Sequence, residues 1–107
     1  MLELPKPVAG YIAASNAHDA DACAAWFTDR AVVRDEGRTM QGTAAIRHWM
    51  DAAIEQYRHL VEVITVAEAD GKTMVTGRVS GNFPNSPVEL RYAFTLAGEK
   101  IAQLEIV

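Results

Sequence analysis

The second half of the chain narrows the possible folds more than any other feature. Four segments of strand character follow one another, Leu60–Ala67, Lys72–Phe83, Val88–Leu96 and Ile101–Val107, with only a few residues between them. The first is rich in β-branched residues, which suit a pleated, half-buried surface. Asp70-Gly71 is a two-residue hairpin signal, because both residues tolerate the positive φ such a turn demands. Pro84-Asn85-Ser86-Pro87 supplies the next turn and Ala97–Lys100 the last. Gaps this short cannot hold a crossover connection, so consecutive strands must pair antiparallel as a meander. Gly77 and Gly81 inside the second segment predict a bend or bulge there.

The first half must then supply whatever covers that sheet, and its pattern is helical. Leu4, Val8, Tyr11, Ile12 and Ser15 recur at the spacing of one helix face. Pro7 suits the first turn of that helix, where the missing N–H is not needed. Asn16-Ala17-His18 ends it, and Asp19 with Asp21 predicts the capped start of a second, short helix running from about Ala20 to Phe27. Ala31-Val32-Val33 reads as a strand closed by Asp35-Glu36-Gly37, and Met40-Gln41 as a second short strand. Thr43 is expected to cap a third helix, on which Ile46, Trp49, Met50, Ala53, Ile54 and Tyr57 hold helical spacing over three turns. Three helices can cover one face of the sheet only, which makes an α+β domain. A long, bent, mostly antiparallel sheet wrapped over helices leaves a cone with a pocket at its open end. With 107 residues, half of them apolar, the chain is expected to be a single domain over residues 1–107, since domains usually take ~100–150 residues.

Several function classes are disfavoured. A net charge of −4 lacks the basic footprint of a nucleic-acid binder. The longest unbroken apolar run is Ala22–Phe27, far short of the ~18 residues of a membrane span. Glu3, Pro5 and Pro7 leave no apolar stretch for a secretory signal. Cys23 is the only cysteine, so no disulfide forms within the chain, and a reducing, cytoplasmic location is expected. Cys23 itself sits in an alanine-rich helix and reads as inert packing. His18, His48 and His59 show no metal-ligand spacing, and no phosphate-binding, dinucleotide or nucleophile-elbow motif is present. Neither a metal nor a cofactor is expected.

One carboxylate stands out. Side chains alternate along a strand, so Asp35 shares a face with Val33, a natural core residue. A carboxylate aimed into the mouth of an apolar cone would have the raised pKa that a base for carbon acids needs. The competing reading is a solvated turn in which Asp35 pairs with Arg34 or Arg38. Trp26, Phe27, Val33, Trp49, Met50 and Phe94 are the expected lining of the pocket.

The element order and particular stretches resemble the nuclear transport factor 2-like superfamily, in its SnoaL-like (polyketide cyclase-like) and ketosteroid isomerase-like group. Tyr11–Asp21 is similar to the first helix and its turn, Trp26-Phe27-Thr28-Asp29 to the junction before the first strand, Gly42-Thr43-Ala44-Ala45-Ile46 to the start of the third helix, and Gly98-Glu99-Lys100-Ile101 to the last hairpin. The resemblance spans essentially the whole chain and implies the cystatin-like α+β barrel. It also implies roles. Tyr11 matches a tyrosine that donates to a developing oxyanion, and Asp35 matches the aspartate that shuttles the proton, 24 residues later in both. Tyr92 stands where the isomerases carry a protonated aspartate as second donor. That departure speaks against steroid isomerisation itself, and the shorter chain implies a smaller pocket.

Two function classes follow. One is a small-molecule binding protein with an apolar pocket for a small hydrophobic ligand. The alternative is a cofactor-independent isomerase or cyclase, with Asp35 as proton shuttle and Tyr11 and Tyr92 as oxyanion donors on a small hydrophobic carbonyl compound. A cavity that shows Asp35 together with both tyrosines favours the enzyme, and an Asp35 paired with Arg34 or Arg38 favours the binding protein. A homodimer through the sheet is expected as well, with Val61, Val63, Thr65 and Val75 taken to lie on the face away from the helices.

Overall fold

Two tight turns fold the ends of the sheet back on themselves. At Glu36-Gly37 and at Asp70-Gly71 both residues have positive φ, 53° and 74° in the first pair and 54° and 76° in the second. This is the turn whose twist matches that of a two-stranded ribbon. The computed structural model describes residues 3–107. The elements run α1 (Lys6–Asn16), α2 (Ala20–Ala24), β1 (Phe27–Asp35), β2 (Arg38–Gln41), α3 (Thr43–Tyr57), β3 (Leu60–Ala69), β4 (Lys72–Ser80), β5 (Val88–Ala97) and β6 (Lys100–Ile106). The six strands form one sheet in the order β2-β1-β6-β5-β4-β3. Each neighbouring pair is antiparallel except β1 and β6, which run parallel. The three helices pack on its inner face, and the fold is the expected α+β architecture.

Three local expectations are corrected. The second helix ends at Ala24, and Phe27 begins β1 instead of closing the helix. Pairing with β6 decides this: the amide of Ile101 donates to the carbonyl of Trp26 at 2.8 Å, and Phe27 lies opposite Ile101. Gly42, not Thr43, occupies the cap of α3, with φ 89° and no side-chain cap bond. Only glycine takes that conformation without strain. The strand predicted over Lys72–Phe83 stops at Ser80. There the chain leaves the ladder, and the amide of Asn82 donates to the carbonyl of Tyr57 at 2.7 Å. Gly81 permits this approach, since a Cβ at that position would lie 2.6 Å from the same carbonyl oxygen. The turn brings Phe83 edge-on against Tyr57, 5.8 Å between ring centres.

The core is the inner face of the sheet against the helices, with Val8, Val33, Ile46, Met50, Val75, Phe94, Ile101 and Leu104 fully buried. The far end of α1 is clamped to β3. The Asn16 side chain donates to the carbonyl of Val61 and accepts from its amide, at 2.9 and 2.8 Å, as a neighbouring strand would. The Nε2 of His18 donates to the carbonyl of His59 at 2.9 Å.

The outer face differs from expectation. Val61 and Val75 are buried and face the helices, and Val63 packs partly against the same core. Of the four residues assigned outward, only Thr65 is exposed. A bulge between Val63 and Thr65 shifts the register, so that Val66 and not Thr65 opposes Val75. One extra residue reverses the parity of everything beyond it.

Candidate functional site

The packed core fills the cone only part way. At the end where β1, β4 and β6 finish and β5 begins, a cavity of about 350 Å³ remains. Its wall is mostly apolar, with Met50, Val79, Phe83, Val88, Leu90 and Ile106 among its lining residues. Set into that wall are Tyr11 and Ser15 from α1, Asp35 from β1, Trp49 from α3, His59 from the α3–β3 connection and Tyr92 from β5.

The structure therefore brings Tyr11, Asp35, Tyr92, Trp49 and Met50 to one cavity. Trp26, Phe27, Val33 and Phe94 are not part of its lining. Strand parity does turn Phe27, Val33 and Phe94 inward, but they lie in the closed part of the cone, where the side chains pack without space. Phe94 supports the site from beneath, stacked 6.1 Å from Tyr92 and tilted against Tyr11 at 5.8 Å. Phe27 meets Tyr11 edge-on at 5.6 Å. Trp26 lies elsewhere, over α1, where a Cβ on Gly10 would fall 2.1 Å from its indole. Glycine at that position is what lets the ring lie flat on the helix.

Asp35 is half-buried. Its Oδ2 accepts from the indole N–H of Trp49 at 3.2 Å, and no ion pair involves it among the described residues. Burial raises its carboxyl above the usual value of 3.8, the Trp49 bond lowers it, and the net direction is upward. Arg38 opposes it in the β1–β2 register but makes only a lesser contribution. The turn therefore does not neutralise Asp35 with Arg34 or Arg38. Tyr11 and Tyr92 are both buried, and burial holds both hydroxyls above the ordinary tyrosine value, helped by Tyr92 at Tyr11 and by Asp35 at Tyr92. Neither hydroxyl has a protein hydrogen-bond partner among the described residues, yet neither is sealed from the cavity. Both therefore stay protonated as donors facing the same space as Asp35.

The sequence reading missed Ser15 and His59 as lining residues. Ser15 could have been found, because it stands one turn after Tyr11 on the face already assigned as buried. His59 had no local signal: Arg58 takes φ 48° to end α3, and that turn places the following histidine in the wall. His48 is exposed. Cys23 is buried, and burial pushes its thiol up to about 12, with Asp19 adding to it, so it is the inert packing group expected. Among the described residues, no three His, Cys, Asp or Glu side chains cluster in a way that could hold a metal ion. No helix there is long and apolar enough to cross a membrane.

Comparison with known proteins agrees with this architecture. The profile of the SnoaL-like domain matches residues 8–104. No functionally curated protein matches the sequence. A candidate polyketide cyclase from Sinorhizobium meliloti is 40% identical over 97% of this chain and 95% of that one, with a TM-score of 0.92. A protein of ketosteroid isomerase-like fold from Catenulispora acidiphila, solved with trimethylamine, is 18% identical over 98% and 86% of the two chains, with a TM-score of 0.86. A candidate polyketide cyclase from Pseudomonas putida is 19% identical over 96% and 89%, with a TM-score of 0.80. At the last two identities the likeness is one of fold.

Proposed function

We propose that this chain, which belongs to the SnoaL-like domain family, binds a small, mainly apolar carbonyl compound and moves a proton at the carbon beside the carbonyl, using its own side chains as acid and base. One observation carries this reading: a half-buried carboxylate without an ion-pair partner and two buried tyrosine donors without protein acceptors open onto one apolar cavity. Asp35 takes the α-proton on a carboxylate oxygen. The C–H electron pair becomes the new C=C bond, and the carbonyl π pair moves onto oxygen, where Tyr11 and Tyr92 donate to the growing charge. In a ligand with a β,γ-double bond the electrons spread through it as a dienolate, and Asp35 returns the proton to the γ-carbon, which completes an isomerisation. In a ligand with a second carbonyl, the α-carbon can instead attack that carbonyl and close a ring, with the Asp35 proton going to the second carbonyl's oxygen. The Trp49 N–H occupies Oδ2 and leaves the other oxygen free for the proton. The upward shift that burial gives the Asp35 carboxyl makes it a stronger base than a solvated aspartate. The candidate cyclase that is 40% identical supports a carbonyl-bearing ligand.

The test needs no knowledge of the natural substrate. The protein is incubated with 1-tetralone in D2O, and loss of the α-proton signal is followed by NMR. Exchange faster than with the same concentration of acetate is expected. A protein that binds tetralone and leaves its exchange rate unchanged is a binding protein without this chemistry.

The dimer is retained as a proposal on different residues. Val32, Met74, Ala93 and Thr95 are only partly exposed, and alternation with the buried positions puts them on the face away from the helices. A second copy covering them would remove about 800 Å² of surface from each partner in an interface of ordinary size. Light scattering at micromolar concentration is expected to give twice the 11.7 kDa of the chain, and a monomer mass refutes the dimer.

A further inference from the structure

The cavity has a second polar place that the proton transfer does not use. Ser15 is 1% exposed and lines the cavity together with His59. Its Oγ lies 3.1 Å from the Nε2 of His59. The other ring nitrogen, Nδ1, is buried with no hydrogen-bond partner.

That orphan decides where the protons sit. A neutral imidazole carries one N–H. On Nδ1 it would be a buried donor without an acceptor, which proteins avoid. On Nε2 it reaches Ser15. His59 therefore donates to Ser15 Oγ, and the serine hydroxyl keeps its own hydrogen to give away. A helical serine often returns that hydrogen to the carbonyl one turn back, but Ser15 has no partner other than His59. Protonating His59 would put a hydrogen on the stranded Nδ1, and burial together with His18 already lowers its pKa. The imidazole is thus a fixed neutral donor and no proton relay. Nor is the pair needed to join α1 to β3, since Asn16 and His18 already make that junction with three hydrogen bonds.

We propose that Ser15, positioned by His59, is a second hydrogen-bonding subsite that takes a hydroxyl or carbonyl oxygen of the ligand. Ser15 follows Tyr11 by one helical turn, about 6 Å along the axis. The ligand therefore carries two oxygen functions, one held by Tyr11 and Tyr92 beside Asp35 and the other held by Ser15 further along α1. This rests on the reading of the cavity as a carbonyl-compound site and narrows its ligand to dioxygenated compounds, with the simple monoketone as the weaker binder.

Two probes separate the possibilities by calorimetry: 1-tetralone, with one oxygen, and 6-hydroxy-1-tetralone, with a second at the far end of the same rigid rings. The wild-type protein is expected to bind the hydroxylated probe about 5-fold more tightly, the effect of one neutral hydrogen bond. Ser15→Ala is expected to erase that preference, with the loss of affinity falling on the hydroxylated probe. Ser15→Cys keeps the shape, gives up most of the hydrogen bond, and should behave like alanine if the alanine variant folds poorly. A purely structural serine would weaken both probes equally or neither, and that result overturns the subsite while the cavity reading stands. Equal wild-type affinity for the two probes overturns it too. Failure of the wild-type protein to bind either probe at millimolar concentration overturns the cavity reading, and the subsite with it.

Discussion

Asp35→Asn is expected to lower tetralone α-proton exchange by about 10²–10⁴-fold, the usual contribution of a positioned base, without loss of stability at pH 7. The amide keeps the shape of the carboxyl and can still accept from the Trp49 indole, which now donates to Oδ2 at 3.2 Å. It cannot take a proton from carbon. The stability half follows from burial. The folded protein holds the Asp35 carboxyl above its ordinary 3.8, with desolvation as the largest cause. Folding therefore favours the protonated acid over the carboxylate. The resulting stabilisation is fully present below the ordinary value and is lost as pH rises through the raised one. Above the raised value the group is ionised in both states, and its desolvation there is a cost that asparagine does not carry. The variant should therefore be as stable as wild type or more so at pH 7, and should lose that advantage on acidification. Thermal unfolding at pH 7 and pH 3 reads both ends. A surface ion pair would behave in the opposite sense, with a loss of at most ~1 kcal/mol at neutral pH and no change in exchange. A variant clearly less stable at pH 7, or one that keeps full exchange, rules out the shuttle.

Phe94→Ala should have the largest effect on stability. Phe94 is completely buried at the centre of β5, beneath both tyrosines. Truncating a buried phenylalanine costs about 3–5 kcal/mol, because the lost transfer energy is joined by an unfilled cavity. Against a total of about 5–15 kcal/mol for a native domain, this is a large fraction. With roughly 4–8 °C per kcal/mol at this chain length, Tm should fall by at least about 12 °C. The site suffers as well, since Tyr11 and Tyr92 lose the ring that sets their angle to the cavity. Phe94→Leu refills much of the space without the flat stacking surface. It should keep most of the stability and lose more exchange than stability. A Phe94→Ala protein within a few degrees of wild type would mean that the floor of the cavity is not packed as described.

Local rules reached far in this chain. The helix faces, the two positive-φ turns and the alternation that aims Val33 and Asp35 inward all depend on residues within a turn or two of one another. They could be read from spacing and from the few residue types that tolerate each turn. The same alternation turns Tyr92 inward with Phe94, and helical spacing puts Tyr11 on the buried face of α1. The expected roles of Asp35, Tyr11 and Tyr92 as proton shuttle and oxyanion donors come from the resemblance to the ketosteroid isomerase-like group and not from spacing, and the three line one cavity.

Other features depended on segments that meet only when the chain is folded. Phe27 is in a strand because β6 pairs with it, 74 positions further along at Ile101. Thr65 faces away from Val61 and Val63 because of a single extra residue in β3, and nothing in the local sequence counts it. Inward direction also differs from contact with the cavity. Phe94 and Trp49 both point into the cone, yet only Trp49 reaches space, since the volume left over is set by how all the layers fill against one another. Ser15 and His59 are 44 residues apart, each unremarkable in its own neighbourhood. Their pairing follows from the left-handed turn at Arg58 and from the clamp that Asn16 puts on β3, because a hydrogen bond between distant groups needs its geometry fixed by everything between them.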